Sequence, residues 1–248
     1  MDGTTRENKY LVKQFERVTL GSLFFFIYTQ PPSTDLACFC AVGHFLFVYL
    51  YSNIILLFME YSNLLIPKSR EEFREWLKEN SASERECWVP LKRGKPSAED
   101  ILYYLDAVEE ALCFGWIDST IRTVDGVAMQ RFSPRRKNSQ WTELNKERVR
   151  RLEKLGLMTD AGRAVLPDMD IKNFKIDEDI SNALKQARVW SKFKSFHPLY
   201  QRIRAYNLAF TKIKYPQAYK KSLAHLIEQT RKGKMYGEWN DYGRLLEE

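Results

Sequence analysis

Histidine and cysteine are scarce: three His and four Cys in 248 residues. With so few His, a Ser-His-Asp triad or a His-rich metal site is a poor reading. Four Cys are too few for a disulfide-dense secreted scaffold. Cys38-x-Cys40 with His44 offers too few ligands for a metal and lies inside an apolar run. Cys87 and Cys113 are isolated in sequence and read as buried, reduced thiols; Cys113, beside a helix end, is also a candidate redox-sensitive group. There is no G-x-x-x-x-G-K-[ST] loop and no G-x-G-x-x-G turn. There is no helix-turn-helix, RRM or zinc-finger string, no internal repeat and no low-complexity tract. No cofactor and no metal are expected. The mix that remains, 44% hydrophobic and 29% charged, excludes a disordered tail, a collagen-like fibre and a multi-span transporter. The formal charge of +7 favours anionic partners only weakly.

Charge is also missing locally. From Leu36 to Phe58 there is none in 23 residues. As a helix that run would reach about 35 Å, enough for the ~30 Å hydrocarbon core. A shorter apolar stretch, Val18 to Thr29, has the length of a signal-peptide core. Three readings of residues 1–58 stay open: translation beginning at Met59, which leads; a transmembrane anchor holding a cytoplasmic domain through Lys68, Arg70 and Arg74; and a signal sequence. Residues 59–248 themselves read as cytoplasmic, with a membrane partner only if 36–58 is an anchor.

The fold class expected is α+β: a small antiparallel sheet with packed helices over 59–167, then a basic helical subdomain over 168–248. Ser69-Arg70-Glu71-Glu72 is a capping box opening a helix with Phe73, Trp76 and Leu77 on one face, ending at Asn80. Glu86 to Leu91 reads as a short edge strand, since Pro90 cannot donate to a ladder. Ser97 to Asp100 reads as the cap of a second helix with Ile101, Leu105, Val108 and Leu112 on its face, closed by Gly115. Trp116–Val124 and Val127–Phe132 flank Asp125-Gly126, a strong hairpin signal. Trp141 or Thr142 opens a third helix that stops at Gly156. Thr159 caps a short fourth, and 168–175 reads as a linker. Asp177 opens one helix running to about Trp190. His197-Pro198 caps the next, with Leu199, Ile203, Tyr206, Phe210 and Ile213 as its stripe. Pro216 opens the last, ending at Gly233.

Two stretches carry candidate chemistry. In the first, a helix gives way at Gly115 to a strand holding Trp116 and Asp118 on one face. Asp118 reads either as an ion-paired hairpin charge, with Arg131 or Arg122, or as a ligand group. In the second, Arg135, Arg136 and Lys137 lead into Ser139, Trp141 and Asn145 at a helix start. Guanidinium groups beside free N–H groups of a first turn make an anion site, and Arg adds bidentate geometry for phosphate or carboxylate. The competing reading is a solvated basic loop. Trp141 argues for a shaped hollow.

The strings Ala-Leu-Cys-Phe-Gly-Trp-Ile-Asp-Ser (111–119) and Arg-Phe-Ser-Pro-Arg-Arg-Lys-Asn-Ser-Gln-Trp (131–141), with Asn145 and Leu-Gly-Leu-Met (155–158), resemble the YdeI/OmpD-associated family, also called bacteriocin-protection proteins. The resemblance covers about residues 64–240. It implies a link to the cell envelope and to resistance against antimicrobial peptides, and supplies no agreed reaction. It adds weight to a site at Trp116, Asp118, Arg131, Arg135, Lys137, Ser139, Trp141 and Asn145.

Lys185 to Lys234 is the other strong feature, with 13 Lys+Arg against Glu228 alone and eight interleaved aromatics. Such a stretch suits nucleic acid or an anionic membrane, or is a solvated face around a core. The leading expectation is a stress-protection protein binding a small anion or an acidic protein partner. The alternatives are an enzyme using Asp118 as acid or base, and a polyanion-binding module.

Overall fold

A computed structural model describes residues 62–98, 100–124 and 126–246. Met59, the 18–29 stretch and the 36–58 run lie outside the described residues. Among the described residues no helix is long and apolar enough to cross a membrane. Among the described residues the fold is α+β: eight α-helices and a three-stranded antiparallel sheet.

Ser69 caps the first helix, α1 (Arg70–Asn80), its hydroxyl accepting from the Glu72 N–H. Such a cap is worth about 1 kcal/mol. Phe73, Trp76 and Leu77 are buried, as their spacing predicts. Strand β1 (Cys87–Pro90) follows and lies at the sheet edge that Pro90 requires.

The second helix differs from expectation. Helix α2 (Tyr104–Cys113) starts after Tyr103, with no side-chain cap, so Ser97 to Asp100 does not cap it. Backbone pairing decides the start: Lys92 N–H donates to Leu102 C=O, and Tyr104 N–H donates to Lys92 C=O. That bridge holds residues 102–103 extended and buries Tyr103. The Ser97 hydroxyl bonds the Tyr103 hydroxyl instead, at 2.9 Å.

Strands β2 (Trp116–Val124) and β3 (Val127–Pro134) form the expected hairpin, with Val124 opposite Val127 and Gly126 at φ +79°. The order is β1-β3-β2. A bulge lies in β2 between Asp118 and Ile121. The buried Gln130 amide donates to the Ser119 and Thr120 carbonyls there, at 3.2 and 3.3 Å, so bulge acceptors removed from the ladder stay satisfied.

Helices α3 (Glu143–Lys154) and α4 (Asp160–Arg163) complete the first core, which centres on Phe73, Leu77, Leu112, Trp116, Phe132 and Leu152. Three acids on α2 are almost fully buried: Asp106, Glu109 and Glu110. Arg70 and Arg74 of α1, Arg151 of α3 and Arg244 of the C-terminal turn neutralise them. Buried acids without such partners would be strongly destabilising.

A second core forms from Ile180, Leu184, Phe193, Tyr200, Ile203 and Leu226, with Leu144 of α3 packed against it. The linker 168–175 holds a 3-10 turn at Ile171–Asn173. The single helix expected from Asp177 to Trp190 is two, α5 (Glu178–Gln186) and α6 (Trp190–Lys194). Arg188 takes a left-handed φ of +57°, while Val189 N–H donates to Leu184 C=O and Arg188 N–H to Lys185 C=O. That is a Schellman stop, with arginine where glycine is usual. Helix α7 (Pro198–Lys214) has the expected His197 cap, whose Nδ1 accepts from Leu199 N–H at 3.2 Å. Its stripe differs from expectation. Leu199 and Ile203 are buried, but Tyr206 and Phe210 are half-buried and Ile213 is 84% exposed. The buried face turns instead to Tyr200, Ala205 and Leu208. Helix α8 (Pro216–Arg231) runs back beside α7.

Candidate functional site

The hairpin register brings the two sequence strings together. Trp116, at the start of β2, faces Pro134, at the end of β3. Gly115, which closes α2 at φ +74°, accepts from the Arg135 N–H at 2.8 Å. A Cβ at 115 would come 2.9 Å from the Ala161 carbonyl oxygen, so glycine permits this close turn.

Arg135 is therefore fixed by its backbone, and its side chain is buried at 7% exposure. The guanidinium carbon lies 3.6 Å from the centre of the Trp141 ring. Nη1 donates to the Ser139 hydroxyl at 3.2 Å and to the Gln140 carbonyl at 3.3 Å. Nε is buried with no hydrogen-bond partner. Among the described residues no carboxylate reaches salt-bridge distance of Arg135. Burial pushes its pKa down to about 10, against smaller upward pulls from the Asp118 carboxylate and the Tyr206 phenol. A cation held near Trp141 but short of a counter-ion is an unusual use of a buried arginine.

The Asp118 carboxylate is the larger of the two pulls that hold this guanidinium charged. Its Oδ2 accepts from the Tyr104 hydroxyl at 2.7 Å. Burial and the adjacent carboxylate push the Tyr104 phenol up to about 12. Arg93 stacks 3.9 Å from the Tyr104 ring centre and donates to Gln130 Oε1 at 3.0 Å. The phenol stays protonated at neutral pH, a donor aimed at the carboxylate.

Asn145 sits in the first turn of α3, where Thr142 caps by accepting from the Asn145 N–H. Its side-chain oxygen accepts from Arg148 Nη1 at 2.8 Å. Arg148 in turn forks onto Asp241, at 2.7 and 2.9 Å. The Asp241 partner holds this buried guanidinium firmly charged against the opposing effect of burial. Tyr206 of α7 faces the same region, hydrogen-bonded to the Gln140 side chain and raised by burial.

Of the sequence candidates, Arg135, Ser139 and Trp141 thus contact one another, Asp118 acts on Arg135 through its charge, and Asn145 belongs to the Arg148–Asp241 clamp. The others lie elsewhere. Trp116 is a core residue at 1% exposure, packed edge-on to Trp76, with its N–H donated to the Ser81 carbonyl. It has no surface to offer a ligand. Arg131 alternates to the opposite sheet face from Phe132 and pairs with Glu86, so it does not pair with Asp118. Arg136 and Lys137 are exposed, which is the solvated-loop reading for those two. Cys113 is fully buried and its thiol is pushed up to about 11, first by burial and then by Glu110. That counters a redox-sensitive role.

Sequence reasoning missed Tyr104, Arg93, Arg148, Tyr206 and Asp241. Only Arg148 carried a local signal, an arginine on the apolar face of α3 beside Val149 and Leu152. The rest needed the long-range fold. Among the described residues no group of His, Cys, Asp and Glu could hold a metal. A cleft of about 380 Å³ lined by Pro90, Lys92, Ile101 and Val127 shares none of these residues.

Residues 65–165 match a family described only as a domain of unknown function (DUF8412). No curated protein and no solved structure matches the chain. The matched span carries Tyr104, Asp118, Arg135, Trp141, Asn145 and Arg148. Tyr206 and Asp241 come from beyond it.

Proposed function

We propose that the protein binds a small anion, or an acidic group of a partner, at Arg135. The observation that carries this reading is the buried, unpartnered Nε of a guanidinium stacked on Trp141. Leaving a buried charged donor unsatisfied costs several kcal/mol. A phosphate or carboxylate oxygen admitted by a local opening beside Arg135 would remove that cost and gain a charge-assisted bond. Ser139 and the α3 first turn add polar groups on the same side. Tyr104 engages the Asp118 carboxylate and lessens its competition for the ligand. From the resemblance to bacteriocin-protection proteins we further infer that this binding serves stress or antimicrobial-peptide protection, with the described part of the chain acting in the cytoplasm.

The test is calorimetric titration with phosphate-bearing and carboxylate ligands on wild type and Arg135→Ala. Saturable heat in wild type, lost in the variant, is expected. Equal heats in both, or none in either, would remove the reading.

A second reading uses the Tyr104–Asp118 hydrogen bond: an enzyme with Asp118 as acid or base beside a bound anion. Here Asp118→Asn should abolish protection in cells while leaving anion binding in place. Wild-type protection by that variant would eliminate the enzyme.

A further inference from the structure

Helices α7 and α8 run antiparallel, joined at Tyr215-Pro216, and a cleft of about 350 Å³ opens between them. Its α7 wall is Arg204, Asn207, Leu208 and Thr211, a single i, i+3, i+4, i+7 stripe. Its α8 wall includes Lys221 and His225, one turn apart, and Tyr236 closes the end. Among the described residues no carboxylate lines it.

The cation at its head is built rather than incidental. Arg204 lies 4.1 Å from the Tyr236 ring centre and 5.3 Å from that of Tyr200, and its Nη2 donates to the Tyr236 carbonyl. Gly237 beside it takes φ +70°, and a Cβ there would meet the movable end of the Arg204 side chain. Arg204 Nε is buried and has no hydrogen-bond partner. His225 meets the Tyr236 ring edge-on at 4.6 Å. Many neighbouring cations are already engaged: Lys212 by Asp177 and Asp179, Arg202 by Glu143 and Glu147, Lys232 by Glu228.

We propose that this cleft is a second, separate binding site, for a small organic phosphomonoester. Arg204 and Lys221 match the two charges of a phosphate dianion. His225, Asn207 and Ser222 supply further polar groups. The volume falls at the low end of the ~300–1,000 Å³ typical of small-molecule sites, and Leu208 and the Tyr236 ring give the organic part an apolar surface. Arg204 and Lys221 together, with no acid among the described lining residues, exceed what a lone carboxylate needs. The site is independent of Arg135.

The experiment titrates the full chain with glucose 6-phosphate, glucose and inorganic phosphate, following the His225 ring signals by NMR. The ester should shift those signals saturably, and glucose should not. Inorganic phosphate should bind at least tenfold more weakly than the ester. Lys221→Glu, an exposed change that leaves the core untouched, should weaken the ester at least tenfold. Arg204→Gln should do so more severely. Arg135→Ala should leave the shifts intact, so failure here and failure at Arg135 are distinguishable. Unshifted His225 signals, equal binding of glucose or of inorganic phosphate, or wild-type affinity in Lys221→Glu would overturn the proposal.

Discussion

Asp241 grips Arg148 with both carboxylate oxygens, at 2.7 and 2.9 Å, from a backbone held left-handed at φ +50°. Both side chains are buried, at 5% and 8% side-chain exposure. The pair lies 93 residues apart in sequence and joins α3 to the C-terminal turn. Arg148 also donates to the Asn145 side-chain oxygen, which ties the first turn of α3 into the clamp.

Breaking that pair from one side should be severe. Arg148→Met leaves Asp241 buried without a counter-charge, and a loss of about 3–5 kcal/mol is expected. Denaturant melts would read it. A loss under about 1 kcal/mol would mean the C-terminal turn peels away and rehydrates Asp241.

The Arg135 cation sets a pH limit on anion binding. Its folded pKa is depressed to about 10, first by burial. Binding should hold from neutral pH to about 9 and fall as pH passes through about 10. The stability sign is opposite. Between about 10 and the ordinary arginine value, the unfolded chain binds more protons here, so this group favours folding increasingly as pH rises. Tyr104 runs the other way. Its folded pKa of about 12 lies above the ordinary tyrosine value, so its contribution is present at neutral pH and is lost as pH climbs from about 10 through 12. Titration calorimetry across this range checks the binding limit.

Cys87 and Cys113 should resist alkylation in the native state. Both are fully buried, and burial raises both thiols. Peptide-resolved mass spectrometry after iodoacetamide should find these two unmodified until denaturant is added. Modification of Cys113 at the rate of a free thiol would contradict the packing of α2 on α4.

Gly162 should not tolerate even alanine. A Cβ there would collide with the Cys113 carbonyl oxygen, and the Thr159 hydroxyl and N–H already bond that same oxygen, at 2.6 and 3.1 Å. Gly162→Ala should cost at least about 1–3 kcal/mol, since backbone must move to admit it. Thermal unfolding would show it. An unchanged melting temperature would mean that α4 is free to shift on α2.

Local signals determined much of this protein. Ser69, Thr159 and His197 cap helices as their neighbours predict, because a cap is decided within four residues. Asp125-Gly126 announced the hairpin for the same reason. Long-range pairing decided the rest. The Lys92 bridge moved the start of α2, and the turn at Arg188 divided one expected helix in two. Period-2 alternation sent Arg131 to Glu86 and away from Asp118. Above all, sequence could mark Arg135 as a cation but not as an unpaired one. Whether a charge has a partner depends on what the other elements leave beside it, and that is a property of packing alone.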